Sequence, residues 1–471
     1  MTRVPAGRRF LFDVTGLLHW YAYFRHPSGI QRVSERLVNA APLCRAPHVE
    51  FVTRVLGSNR FYRIDHDLLL GLADAARRPR AIARLRGLFT VATRLGSARG
   101  LLADLRYYHL PYAYCGLWRL EGLVEAFFAR GRPGPRPRLQ PVPAPGPHDV
   151  FFHPGDLFWQ RRSAQSLVEL RRATGVRLVE LVHDLFVVDH PEWFAADLVR
   201  LSRSGLATVA PHVDRWVTNS AFVRDRLAAH LDGQGLPMPP MGARPIGVLP
   251  MGWDSFDGGS ADPEGDRAVL RRLGLLDRPF MLFVGTVEPR KNLPLLLDAV
   301  ADLRGTLGDR VPDLAVVGGD GWKSAEVRAR LRGTPGVHWF RAAGDGDLAV
   351  LYRHARFTVA PSFSEGWGLP VQESLAHGVP CIASSGGAMP EAAHGLAELF
   401  DPSDGAALRA ALRRWILDPP ALAAARARIA AFRTRTPLPT WDDAASFLLD
   451  FAWEGAADQT GEMSLNRTRS G

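Results

Sequence analysis

The run LYRHARFTVAPSFSEGWGLPVQESLAHGVPCIASS, from Leu351 to Ser385, decides the fold class. FTVAPS (Phe357 to Ser362) is a short apolar strand pattern. A glycine-containing loop follows, and a helix pattern starts at Leu369 with Pro370 in its first turn. Proline fits there because the N–H it lacks has no helical partner at that position. CIASS (Cys381 to Ser385) is the next strand. Strand, helix and strand in so short a span form a β-α-β unit, and such crossovers build a parallel sheet.

Working outward, the same alternation continues on both sides. Upstream come FMLFVG (Phe280 to Gly285), an apolar helix pattern from Leu293 to Leu303, and LAVVGG (Leu314 to Gly319). A charged helix (Ser324 to Leu331), VHWF (Val337 to Phe340) and a helix near Gly346 to His354 follow. Downstream are a helix from Met389, ELF (Glu398 to Phe400) and a long Ala/Arg/Leu helix from Gly405 to Ile416. The first half repeats the logic more loosely, with strand patterns at Arg9 to Val14, Val49 to Val55, Asp149 to His153, Arg177 to Asp184 and Arg215 to Ser220, and a helix over Gly29 to Ala40. At 471 residues the chain exceeds one ordinary core, and two α/β domains are expected.

The spacing places an N-terminal domain over 1–252 and a C-terminal domain over 253–436, with a polar, glycine-rich linker after VLPMGWD (Val248 to Asp254). Residues 65–130 read as a helical, arginine-rich insert, and 130–147 as a Pro/Gly/Arg loop without regular structure. An amphipathic helix over 437–455 is expected to cross back to the N-terminal domain, and 456–471 reads as a disordered tail.

Composition narrows the class. No apolar run reaches the ~18 residues that span a bilayer, and the N-terminus shows no signal-peptide apolar stretch. Cys44, Cys115 and Cys381 are far apart and lack metal-ligand spacing, as buried reduced thiols do. These features predict a cytoplasmic protein. The net charge of +10 is mostly arginine; it fits phosphate-bearing ligands or an anionic membrane surface, and a genome rich in arginine codons gives the same number. No nucleic-acid motif accompanies it, so no nucleic-acid partner is expected. The insert's arginines and aromatics suit peripheral contact with the inner face of a membrane, although a cap packed on the first domain is the more ordinary reading.

Two clusters carry chemistry. In VGTVEPRKN (Val284 to Asn292), Gly285 opens a turn and Arg290 and Lys291 precede a helix, at the sheet edge where α/β proteins bind ligands. Arginine offers a fork to phosphate and lysine a point charge. Alone, the pair is more simply a solvated basic helix start. In SEGWGLPVQESLAHGVP (Ser364 to Pro380), Glu365 and Glu373 stand eight positions apart, the first in a loop and the second one turn into a helix. The helix start is an anion site, and Gly366 and Gly368 permit close backbone approach. Acids beside an anion site suit a nucleotide sugar, whose hydroxyls flank a diphosphate. A helix-dipole pairing of the two acids explains the cluster about as well in isolation.

Together these stretches resemble glycosyltransferase family 4, the retaining GT-B enzymes, the glycosyl transferases group 1, and bacterial mannosyltransferases in particular. The resemblance rests on VGTVEPRKN, VVGGDGW (Val316 to Trp322), Leu351 to Glu391, and VHDLFVVDHPEWF (Val182 to Phe194). It implies an α/β fold of two Rossmann-like parallel-sheet domains facing across a cleft, and hexosyl transfer with retention. No Asp-X-Asp metal motif stands at a strand end and the cations can do a metal's work, so no divalent metal and no cofactor is expected. By resemblance, Glu365 contacts the transferred sugar, Glu373 holds the ribose, and Gly366, Trp367, Gly368 and Leu369 line the sugar and diphosphate. Lys291 with Arg290 neutralises the leaving diphosphate, and His183 approaches the donor sugar. Gly29 lets the first domain close over the diphosphate. One departure stands out: Thr286 occupies a position that is arginine in many members. The expected partners are a nucleotide-sugar donor, GDP-mannose first, and a glycan or lipid-linked acceptor in surface polysaccharide synthesis. A sugar-nucleotide epimerase of the same fold and a non-catalytic scaffold are the alternatives.

Overall fold

The computed structural model describes residues 7–24, 27–54, 60–95, 140–155, 161–235, 246–253 and 262–453. Most of the insert beyond residue 95, most of the 130–147 loop, the interdomain linker at 254–261 and the tail lie outside the described residues.

Two sheets account for the described strands. The first runs through β1 (Phe10–Asp13), β2 (Val49–Arg54), β3 (Phe61–Arg63), β4 (Gln140–Pro141), β5 (Val150–His153), β6 (Arg177–Val182), β7 (Arg215–Thr218) and β8 (Ile246–Val248), in the order β4-β3-β2-β1-β5-β6-β7-β8. The second holds β9 (Phe280–Val284), β10 (Asp313–Val317), β11 (Val337–Phe340), β12 (Thr358–Ala360), β13 (Cys381–Ser384) and β14 (Glu398–Phe400), in the order β11-β10-β9-β12-β13-β14. All pairings are parallel except β2–β3 and β3–β4. Helices cover both faces of each sheet, so strands such as FMLFV are apolar throughout instead of alternating.

The short antiparallel edge corrects one expectation. Gln140 and Pro141, in the loop read as irregular, pair with Arg63 and Tyr62. Proline is tolerated there because β4 is the outermost strand and needs no N–H on its open side.

Strand order positions the sites. In the second sheet the chain steps from β9 outward to β10 and β11, then returns to the other side of β9 at β12. Loops leaving β9 and β12 therefore diverge from a shared crevice, where open α/β sheets bind ligands. The first sheet has the same reversal between β2 and β5, on either side of β1.

The Trp441–Trp453 helix completes the first domain's core: Ala444, Leu448 and Phe451 are buried in one cluster with Phe10, Leu37 and Leu249. Gly247 and Gly252 make room for it, since an added Cβ would lie 3.0 Å from the Phe451 ring and 2.6 Å from Trp441. Among the described residues no helix is long and apolar enough to cross a membrane.

Candidate active site

Arg290 and Lys291 follow β9 on a 3-10 turn, Pro289–Lys291, and Glu365 follows β12. Because β9 and β12 are neighbours, residues over seventy positions apart meet. The Phe363 amide donates to the Arg290 carbonyl at 2.8 Å, tying the two loops. Lys291 Nζ then reaches Glu365 Oε1 at 2.5 Å, and Arg290 Nη1 reaches Oε2 at 2.5 Å. Ser362 Oγ donates to Oε1 at 2.7 Å, and Arg290 Nη2 holds Glu288 at 2.8 Å. Gly285 leaves space for the lysine stem: a Cβ there would sit 3.2 Å from Lys291 Cε. Burial pushes the Glu365 carboxyl up, but Arg290 and Lys291 outweigh it and hold it down at about 2.

The first domain reaches into this cluster. The Phe186 ring lies 4.9 Å from the Arg290 guanidinium carbon, a cation–π contact. Asp184 is half-buried beside Arg290; its desolvation pushes the carboxyl up to about 6, against the pull of that arginine. His183 is buried, and its Nε2 lies 2.9 Å from the Pro154 carbonyl. A carbonyl only accepts, so this nitrogen carries the proton. The ring thus turns toward the Pro154–Gly155 corner, while the His183 carbonyl packs on Gly366, where a Cβ would meet it at 2.1 Å.

Gly368 sits at φ +104°, in the left-handed region, and opens the Leu369–Ala376 helix. Trp367 donates through Nε1 to Gln372 Oε1 at 2.9 Å, and Gln372 Nε2 donates to the Met251 carbonyl of the first domain at 3.1 Å. Leu369 packs on the first-domain core and faces Gly29, whose missing Cβ would lie 3.9 Å from Leu369 Cδ1. Glu373 Oε1 accepts from Arg32 Nη1 and Oε2 from the Tyr352 hydroxyl, both at 2.8 Å. Burial pushes the Glu373 carboxyl up, with Arg32 opposing.

The eleven residues expected at the site therefore lie along one interdomain seam, in two groups: one around Glu365 and one around Glu373. Three participants went unread in the sequence. Arg32 follows Gly29 by one helical turn. Glu391 caps the Ala221–Gly233 helix of the other domain, accepting from the amides of Ala221 and Phe222 at 2.8 and 2.7 Å. Ser220, that helix's N-cap, donates to the Gly366 carbonyl at 2.7 Å.

Residues 270–432 match the family described as glycosyl transferases group 1. The second domain belongs to that family. Across a wider span, the chain is 29% identical over 245 residues to O-antigen chain mannosyltransferase B of Escherichia coli, covering 51% of this chain and 62% of the relative. It is 27% identical over 219 residues to the serotype-specific mannosyltransferase WbdA of Escherichia coli, covering 46% of this chain and 27% of that protein. The chain thus aligns with less than two thirds of either relative. The crystal structure of Anabaena Alr3699/HepE in complex with UDP-glucose superposes with a TM-score of 0.56 at 13% identity, covering 94% of this chain and 99% of that one. The chain has the two-domain GT-B architecture.

Proposed function

We propose that the protein is a retaining, metal-independent glycosyltransferase that moves a sugar, mannose from GDP-mannose first, onto a hydroxyl of a glycan or lipid-linked acceptor in surface polysaccharide synthesis. The observation that carries the reading is the convergence of Lys291 and Arg290 on Glu365 beside the Leu369 helix start, at the switch point of a group 1 domain. The mannosyl preference is supported by the two mannosyltransferases it resembles. The UDP-glucose in the Anabaena structure makes UDP sugars the competing donors.

In this reading the bond between the anomeric carbon and the diphosphate oxygen breaks with an oxocarbenium-like transition state. The acceptor oxygen bonds to the same face of that carbon, and its proton passes to the departing phosphate oxygen. Lys291, Arg290 and the helix-start amides offset the charge that develops on the leaving group. In this assignment Glu365 serves the sugar and Glu373 the ribose, and His183, held by the Pro154 carbonyl, lines the first-domain wall on the sugar's side. Gly285, Gly366, Trp367, Gly368 and Leu369 line the donor, and Gly29 allows the first domain to approach it. Closure of the seam excludes water and limits donor hydrolysis. Peripheral membrane contact would bring a lipid-linked acceptor to the cleft.

The test is transfer from GDP-mannose and UDP-glucose to mannose-terminated lipid-linked acceptors in EDTA, with the product's anomeric configuration read by NMR. The reading expects an α-product from an α-donor without metal. Hydrolysis or epimerisation alone, or an inverted product, contradicts it.

A further inference from the structure

The ion pair between Arg32 and Glu373 joins the two domains at the second group of site residues, and the charge around the first group gives it a purpose. Arg290 and Lys291 face three carboxylates: Glu365 and Glu288 in ion pairs, and Asp184 close by. Two cations against three acids leave that cluster with no net positive charge, so a diphosphate held by Lys291 and Arg290 calls for a further cation, and Thr286 adds none. Arg32 stands on the facing helix. Gly29 and Arg32 occupy one turn of the Gly29–Asn39 helix, and Leu369 and Glu373 one turn of the Leu369–Ala376 helix. The two turns meet, with Gly29 against Leu369 and Arg32 Nη1 on Glu373 Oε1 at 2.8 Å. Glu373 is itself fixed on its other oxygen by Tyr352, whose ring stacks on His377 at 5.1 Å. A guanidinium has five N–H donors in a rigid fork, so it can serve a carboxylate and a phosphate together. A carboxylate has about four lone-pair sites and can hold Arg32 and ribose hydroxyls together.

We propose that Arg32 is a ligand of the donor's diphosphate, carried in by the first domain on closure and aimed by Glu373. The assignment rests on the nucleotide-sugar reading of the cleft. It makes diphosphate binding and domain closure one event, since the cation and the helix-start amides come from different domains.

The test is calorimetric titration of the full chain, wild type, Arg32→Ala and Arg32→Lys, with GDP, UDP, guanosine and uridine. The expected result is a diphosphate affinity lowered about tenfold or more in Arg32→Ala, the scale of one lost charge-assisted hydrogen bond, with nucleoside affinity unchanged. Arg32→Lys keeps the charge but not the fork, so it should lose less, and it serves if the alanine variant does not fold. Equal weakening of nucleoside and diphosphate would show that Arg32 acts only through Glu373, and unchanged diphosphate affinity would remove it from the site. Either result overturns the assignment and leaves the nucleotide reading standing. Failure of the wild type to bind either diphosphate overturns both.

Discussion

Gly366→Ala is the sharpest probe of the seam. The nearest atoms to a Cβ at this position are the His183 carbonyl oxygen at 2.1 Å, Asp184 Cβ at 3.2 Å and the His183 carbonyl carbon at 3.2 Å. All three belong to the first domain, so the strain falls on the contact between domains and not on the fold of either. The nearest of them is backbone, which cannot swing aside as a side-chain tip can. Overpacking of this kind costs about 1–3 kcal/mol. Applied to the closed state alone, that lowers kcat/KM by about 5- to 150-fold. The assay is release of nucleoside diphosphate in the presence of acceptor, with small-angle scattering to follow closure. Gly366→Ala should lose activity and show a larger radius of gyration. Gly29→Ala is the control for the donor-free contact between domains, because its Cβ would make only an ordinary 3.9 Å contact with Leu369; its scattering curve without donor should match the wild type. A Gly366→Ala protein with wild-type kcat/KM and scattering would refute the reasoning.

Further outcomes follow from the same seam. The Glu365 carboxyl is held at about 2 against an ordinary 4.5, so its stabilisation is present above pH 4.5 and lost as pH falls toward 2. The shift corresponds to about 3 kcal/mol, and urea melts of wild type and Glu365→Gln across that window should differ in slope. Asp184 has the opposite sign. Raised from 3.8 to about 6, its contribution is fully present below pH 3.8 and lost as pH rises through 6; Asp184→Asn should therefore flatten the fall in stability between pH 4 and 6, and an unchanged slope would contradict the burial argument. Glu391→Ala removes two charge-assisted bonds from a helix start in the other domain. It should cost about 1–3 kcal/mol in urea unfolding, and an unchanged midpoint would show that the cap contributes nothing.

The second domain was the more legible because its strands, such as FMLFV and LAVV, are uniformly apolar and separated by helices of ordinary length. The same pattern implied that Arg290 and Glu365 sit at loop starts. It did not imply that they touch, since that depends on β12 returning beside β9. In the first domain, β3 (Phe61–Arg63) is three residues long and antiparallel to β2, outside the β-α alternation that marks equally short strands of the second domain. Pro141 misled because its cost depends on whether the strand is at the edge, which is a tertiary fact. Arg32 and Glu391 are the clearest omissions. Each is an ordinary charged residue on a helix, and its partner lies 341 or about 170 positions away in the other domain. Glu373 was found through its motif, but its first-domain partner left no local signal.

The most direct test of the central claim is a thermal-shift panel of sugar nucleotides in EDTA, on wild type, Glu373→Ala and Lys291→Ala, each first shown to be folded. A ligand that binds only the native state raises the melting temperature by mass action. The account predicts that one nucleotide sugar, GDP-mannose first, raises the wild-type midpoint and shifts both variants much less. If none of the panel shifts the wild type, or the variants respond as the wild type does, the donor clamp is not where these residues meet.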